Sequence, residues 1–329
     1  MISNMKKKEE SPEEFASRLD ESELRPNPKA ASPTILSRIR EKRMKATVKE
    51  KTPSKKKASE MERDSKIARE MLRYAPCPEI KKSARAKNLD SWGLSRTVGN
   101  FLLRDPNALL LGAIFDFQIP FQKAWEAPCE LQKRLGHLDP YRLAKMSKNQ
   151  LLPYIRRGKY GNALHRFPST LTRRTISASQ RLIDQYSGNA SNIWINGAPA
   201  KDVITRLEEF DGISQKISRM MGRLLGTYFG VHLTGWNEID IPVDRHVARV
   251  FLRTGLVKRK KGTYSVAEVR DEIIQRAREL KPSFPGCLDE PAFDVGIIWC
   301  NEESAYCNWP EEACPLRTSC RKKKDMHIK

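Results

Sequence analysis

The sequence predicts an all-α protein with a basic, disordered N-terminal tail. Three observations predict it. From about residue 65 apolar residues recur at helical spacing. Alternating strand patterns are scarce. Residues 31–60 carry ten basic and three acidic side chains and few aromatics, a composition with too little apolar surface to fold. The tail is assigned to 1–65. It serves as a solvated solubility segment, a nonspecific DNA-binding arm or a nuclear address.

The helices follow in order. Leu103–Phe117, Arg142–Ile155, Ala178–Tyr186 and Val203–Phe210 each carry an apolar face. In the last of these, Val203, Leu207 and Phe210 fall at i, i+4 and i+7. After Lys216, residues Ile217, Met220, Met221, Leu224, Leu225 and Tyr228 form one continuous stripe. Ser265 and Glu268 make a capping box ahead of Val266, Val269, Ile273 and Ala277. No internal repeat is visible.

The chain has 329 residues, room for two domains or one plus tails. The longest apolar run, Ala108–Phe115, is far short of a membrane helix, and no apolar segment follows the basic start, so no secretory signal is expected. Sixty-one basic and forty acidic residues give a net charge of +21. An excess of this size concerns partners rather than fold. Nucleic acid is the leading polyanion; an acidic membrane surface or an acidic protein is the rival.

Cys77 and Cys129 are scattered, whereas Cys287, Cys300, Cys307, Cys314 and Cys320 crowd into 34 residues. In a chain without a secretory signal, such crowding favours metal over disulfides. Four thiolates suit a [4Fe–4S] cluster or a structural zinc. Cys287 is a spare thiol.

Between the helices at Val203–Phe210 and after Lys216 lies Asp211-Gly212-Ile213-Ser214-Gln215-Lys216. Gly212 tolerates positive φ, Ile213 can plug the turn, and the next helix offers N-terminal amides to a phosphate. An ordinary helix turn reads the same way. Downstream, Pro242–Val250 reads PVDRHVARV, with Asp244 before a helix. Lys216 is a phosphate contact or a nucleophile; Asp244 is an N-cap or an acid–base group.

Taken together, GISQK and VDRHVARV resemble the helix-hairpin-helix base-excision DNA glycosylases, and endonuclease III most closely. That family's pattern is roughly L-P-G-V-G-x-K, then V-D-x-H-x-x-R. Gly212 matches the first hairpin glycine, Lys216 the catalytic lysine, Asp244 the catalytic aspartate, and His246 and Arg249 the positions after it. Ser214 replaces the second glycine and Asp211 the proline. About ten extra residues separate Lys216 from Asp244, placed in Thr227–Ile241. Leu110–Pro120 (LLGAIFDFQIP) resembles the family's early helix, with Gln118 where relatives carry the glutamine that fills the gap left by a flipped base. Ala113 stands where the adenine-specific branch has a catalytic Glu. Cys300-x6-Cys307-x6-Cys314-x5-Cys320 resembles the group's C-x6-C-x2-C-x5-C cluster loop.

The resemblance spans about Arg104–Cys320. It implies a helix-hairpin-helix glycosylase fold, with a six-helix barrel at 106–232 and a discontinuous cluster lobe from 70–105 and 233–324. It implies a DNA glycosylase with abasic-site lyase activity, oxidised pyrimidines being the default substrate. Lys216 would be the nucleophile and Asp244 its partner. Gln118, Gly212, Ile213, Ser214, Arg245 and His246 would contact DNA. Cys300, Cys307, Cys314 and Cys320 would hold the [4Fe–4S] cluster, with structural zinc the alternative. The expected partner is double-stranded DNA carrying a damaged base or abasic site, bound by a monomer in the nucleus or nucleoid. A monofunctional glycosylase and a noncatalytic DNA-binding module are the competing readings. Lys258–Lys261, Arg156–Arg157, Arg317 and Arg321–Lys324 are candidates for extra positive surface, or for solvated charge.

Overall fold

A computed structural model describes residues 55–75, 94–302, 305–308, 312–322 and 324–329. Most of the expected tail, Cys77, half of the 70–105 segment and Lys323 lie outside the described residues. By internal contacts the chain divides into Met1–Ala58 and a second unit, Ser59–Lys329, which is the subject below.

Helix α1 is Lys55–Tyr74, so helix covers the end of the stretch expected to be disordered. Its anchor is Asp64, 3% exposed, which pairs with Arg63 and with the distant Arg276. Sequence proximity alone does not show such a partner, because Arg276 lies more than two hundred residues away.

The helix expected at Leu103–Phe117 is two helices, α2 (Arg96–Arg104) and α3 (Pro106–Phe115). Asp105 divides them. Its Oδ1 accepts the amides of Asn107 and Ala108, and Pro106 takes the first helical position, where its missing N–H costs nothing. Every residue of α3 from Ala108 to Phe115 is buried. Helix α4 (Phe121–Leu135) packs on it. Gly112 makes this approach possible, since a Cβ there would lie 2.8 Å from the Trp125 ring. The expected Arg142–Ile155 helix is also split, into α5 (Pro140–Leu143) and α6 (Lys148–Ile155), because Ser147 and Gln150 form a capping box in the middle of it. Helix α7 (Pro168–Tyr186) begins ten residues before the expected Ala178.

Helices α8 (Ala200–Glu208) and α9 (Gln215–Thr227) form the hairpin. Glu208 ties them by accepting from Ser218 Oγ at 2.7 Å and pairing with Arg219 at 3.2 Å. With these, six helices of eight residues or more fall within 106–232.

The chain then runs through 228–244 to α10 (Arg245–Thr254), followed by α11 (Val266–Leu280) and α12 (Asp289–Ile298). The Ser265–Glu268 capping box opens α11 as expected. Helices α10 and α12 cross closely at Gly296, where a Cβ would sit 2.8 Å from His246 Cβ. A short parallel pair completes the unit: β1 (Gly262–Tyr264) and β2 (Met326–Ile328), in register Gly262↔Met326. The folded part does not end at Cys320. Met326 and Ile328 are buried, and the buried Arg253 donates from Nε to Met326 O at 3.0 Å.

Candidate active site

Three segments build the site. The first is the hairpin. Gly212 has φ +106°, a conformation that disfavours side chains. A Cβ there would also lie 2.9 Å from the Arg174 side chain. Ile213 is buried, and its N–H donates to Phe210 O at 3.0 Å, closing the turn. Ser214, the departure from the family's glycine, is the N-cap of α9: its hydroxyl accepts from Ile217 N. Lys216 therefore sits in the first turn of α9, with its side chain 40% exposed.

The second segment is the long loop 228–244. It is pinned along its length. Thr234 N donates to Ala198 O and its carbonyl accepts from Ala200 N. A Cβ on Gly226 would overlap the Trp236 ring, so only a glycine lets the indole approach that turn of α9. Trp236 also meets Phe284 edge-on at 5.0 Å. Asp240 takes two bonds from Arg278, at 2.7 and 2.8 Å. Ile239, Ile241 and Val243 are buried. Those anchors deliver Asp244 to the start of α10. Its Oδ1 accepts the amides of His246 and Val247, while Oδ2 lies 3.7 Å from Lys216 Nζ.

The third segment is α12 with the end of α3. Asp289, Glu290, Phe293, Asp294 and Ile297 join Asp116, Phe121, Met220, Arg223, Lys216 and Asp244 around a cavity of about 510 Å³. Five carboxylates face two cations there. Arg223, 5% exposed, pairs with Asp289 at 3.3 Å and Glu290 at 2.8 Å, and Tyr228 OH donates to Glu290. Burial pushes the Asp289 carboxyl up to about 7, with Arg223 opposing. Burial, aided by Glu290, lifts Asp294 to about 6. Asp116 is also raised by burial, against the pull of Lys216 and a bond from Trp125 Nε1 at 3.3 Å. Burial thus brings Asp289 and Asp294 closer to neutrality than ordinary carboxylates.

Five of these wall groups, Asp116, Arg223, Asp289, Glu290 and Asp294, escaped the sequence reading. The local signal for Asp116 was its place two residues before Gln118. For Asp289 and Glu290 there was none, since α12 reaches the pocket only through tertiary packing.

The other expected residues divide. Gln118 is exposed at the turn after α3, with φ +51°. Arg245 is exposed and pairs with Glu302 at 3.1 Å. His246 is half-buried, its ring edge-on to Phe293 and its Nδ1 3.0 Å from Arg249 Nη2. Burial lowers its pKa, with Asp244 opposing. Arg249 is buried and donates to Gly296 O and Cys300 O, so it locks α10 to α12 and to the cysteine segment. The run Lys258–Lys261 is largely neutralised: Lys258 pairs with Glu60, Arg259 with Glu272 and Lys261 with Asp325. Arg156 and Arg157 are exposed.

Cys300, Cys307, Cys314 and Cys320 line one small cavity beside Arg253. All four are free thiols. Lys322 N–H points at Cys320 Sγ from 3.2 Å, and Arg253 Nη1 at Cys300 Sγ from 3.7 Å. Burial pushes the Cys314 thiol up to about 12 and Cys320 to about 11. Donors aimed at sulfur suit thiolates, and a cationic group would offset that burial. Among the described residues no three His, Cys, Asp or Glu side chains are gathered around a single metal-ion position. Cys287 is buried apart from this cavity lining.

No protein-family model matches the chain, and no curated protein matches it. Among solved structures, that of a thermostable thymine-DNA glycosylase aligns over 80% of this chain and 98% of its own, with TM-score 0.51 and 11% identity. A trapped endonuclease III–DNA covalent intermediate with an estranged adenine aligns over 78% of this chain and 94% of its own, with TM-score 0.49 and 19% identity. A non-covalent endonuclease III–DNA complex covers the same shares at TM-score 0.48 and 19% identity. The likeness to the thymine-DNA glycosylase structure is one of fold: the chain is mostly α-helical and shares the overall fold of that structure. Among the described residues no helix is long and apolar enough to cross a membrane.

Proposed function

We propose that this protein is a DNA glycosylase with abasic-site lyase activity, acting as a monomer on duplex DNA that carries a damaged base or an abasic site. The observation that carries the reading is Lys216 Nζ facing Asp244 Oδ2 at 3.7 Å on the wall of a cavity large enough for a nucleoside. A base inside the duplex stack cannot be attacked in place, so the nucleotide is flipped into that cavity, at about a few kcal/mol of unstacking. The net charge of +21 draws in the backbone. The acidic cavity wall repels phosphate and leaves the base and sugar as the parts that enter.

In this reading Lys216 Nζ gives a proton to Asp244 and attacks C1′ of the sugar. The N–C1′ bond forms as the glycosidic bond breaks, and the base leaves with the electron pair and takes up a proton. The ring oxygen then accepts a proton as the C1′–O4′ bond opens, leaving an iminium between C1′ and Nζ. Loss of a C2′ proton expels the 3′ phosphate by β-elimination, and water hydrolyses the imine to free Lys216. Asp244 gives its proton up to the departing base and, ionised again, stabilises positive charge on the sugar. The hairpin Gly212–Ser214 holds backbone phosphate, Gln118 fills the gap in the duplex, and Arg245 and His246 flank the strand from the first turn of α10. Oxidised pyrimidines are the default substrate class, and the protein acts wherever the cell keeps its DNA.

Cys300, Cys307, Cys314 and Cys320 hold a [4Fe–4S] cluster in this reading, with structural zinc the alternative. Such a group supplies a cross-link between the end of α12 and the C-terminal segment, and it takes no part in the steps above. One observation favours a second reading: Asp116, half-buried at the same cavity and bonded by Trp125, could activate water instead. That enzyme would release base without cutting the strand.

Duplexes carrying single oxidised pyrimidines test the proposal, scored separately for free base and for scission. Wild type yields both, and Lys216→Ala neither. DNA binding with neither product from wild type overturns it.

A further inference from the structure

The segment that bears Gln118 is held from behind by two residues that touch neither the cavity nor the chain tip. His165 is fully buried. Phe167 N–H donates to its Nδ1 at 3.0 Å, so the ring proton sits on Nε2 and donates to Phe117 O, also at 3.0 Å. The tautomer is thereby fixed by two backbone bonds. Burial keeps this imidazole neutral by lowering its pKa. The Phe117 ring lies 4.2 Å from His165 and stacks nearly parallel to Phe167 at 5.9 Å. On Phe117 rests the Arg174 guanidinium, 4.3 Å from the ring centre.

Arg174 continues the chain of contacts to the hairpin. It lies against Gly212, where any Cβ would collide with it, and its Nε is 3.5 Å from Asp211 Oδ1. Among the described residues neither its Nε nor its Nη1 completes a hydrogen bond. A half-buried arginine whose Nε and Nη1 make no hydrogen bond, while its guanidinium stacks on a ring and wedges under a glycine, acts as a spacer. Residues Asp116, Phe117 and Gln118 are consecutive. The first lines the cavity, the second is clamped, and the third stands exposed in a left-handed conformation that costs a non-glycine residue about 1 kcal/mol. The clamp on Phe117 acts on the residue directly before that left-handed position.

We infer that His165 and Arg174 are positioning residues that fix Gln118 relative to the Gly212 hairpin, so that the residue entering the duplex and the turn gripping its backbone move as one body. The inference rests on the proposed role of Gln118. It assigns specificity for duplex over single-stranded DNA to two residues outside the cavity.

The test uses full-length protein and a duplex with a tetrahydrofuran abasic analogue opposite 2-aminopurine, which needs no chemistry at Lys216. Wild-type binding shifts the fluorescence, and Gln118→Ala loses the shift. His165→Ala and Arg174→Lys each lose it too, and either combined with Gln118→Ala loses no more than the single variants. In parallel, the ratio of duplex to single-strand abasic trapping drops on the order of tenfold to a hundredfold in both. Arg174→Lys keeps the charge near Asp211 but not the flat face, so it reports positioning even if His165→Ala melts early. A wild-type shift in both folded variants, or losses that multiply with Gln118→Ala, overturns the inference. So does a wild type that gives no shift. Failure of the Lys216 reading shows separately, as absent trapping on single strands.

Discussion

Asp244 divides its carboxylate between two tasks: Oδ1 caps α10 on the amides of His246 and Val247, and Oδ2 faces Lys216 Nζ at 3.7 Å. Capping and chemistry are often weighed as rivals for an aspartate ahead of a helix. Here the cap fixes the direction in which the second oxygen points.

The two tasks separate by substitution. Asp244→Ser keeps a good N-cap and Asp244→Ala loses one, at about 1 kcal/mol. Both variants are expected to lose strand scission, while only the alanine shows the lower urea midpoint. Scission retained in Asp244→Ser contradicts the assignment.

The pinned loop predicts an effect at a distance. Gly226→Ala drives a methyl into the Trp236 ring, an overpacking worth about 1–3 kcal/mol. Because Trp236 anchors the segment that carries Asp244, turnover is expected to fall along with thermal midpoint. Unchanged turnover would mean the loop does not set Asp244.

Asp289 makes stability depend on pH. Its carboxyl is pushed up to about 7 by burial, above an unfolded value of about 3.9. Between those values the native state binds more protons than the unfolded state, so stability falls as pH rises through that window. Asp289→Asn removes the titration. The urea midpoint of the variant relative to wild type is expected to climb from pH 5 to pH 8; a constant gap contradicts it.

For the cysteine cavity, protein purified without air is expected to be brown and to carry iron and acid-labile sulfide, both lost in Cys314→Ser. Since burial holds the free Cys314 thiol at about 12, binding must displace protons, and acid is expected to promote release. A colourless protein with bound zinc favours the alternative.

The juxtaposition of Lys216 and Asp244, the proposed catalytic pair, was legible because both sit in short local patterns, each next to a helix start that the sequence marks. The breaks inside two expected helices were legible too, in Asp105-Pro106 and in Ser147-Lys148-Asn149-Gln150, but the longer apolar periodicity masked them. Asp116, Arg223, Asp289 and Glu290 were not legible as a group. They come from α3, α9 and α12, and only packing makes them neighbours. The β1–β2 pair joins three-residue strands some sixty residues apart, too short for alternation to register. The basic run Lys258–Lys261 could be read as positive surface or as solvated charge, since its acidic partners lie far off in α1, α11 and the C-terminal segment.

Borohydride trapping on a duplex with one abasic site tests the central claim most directly. The account predicts a covalent adduct that maps to the peptide containing Lys216 and disappears in Lys216→Ala, a change at a partly exposed side chain that leaves stability within about 1 kcal/mol of wild type. A folded, DNA-binding wild type that forms no adduct, or an adduct that persists in Lys216→Ala, would contradict it.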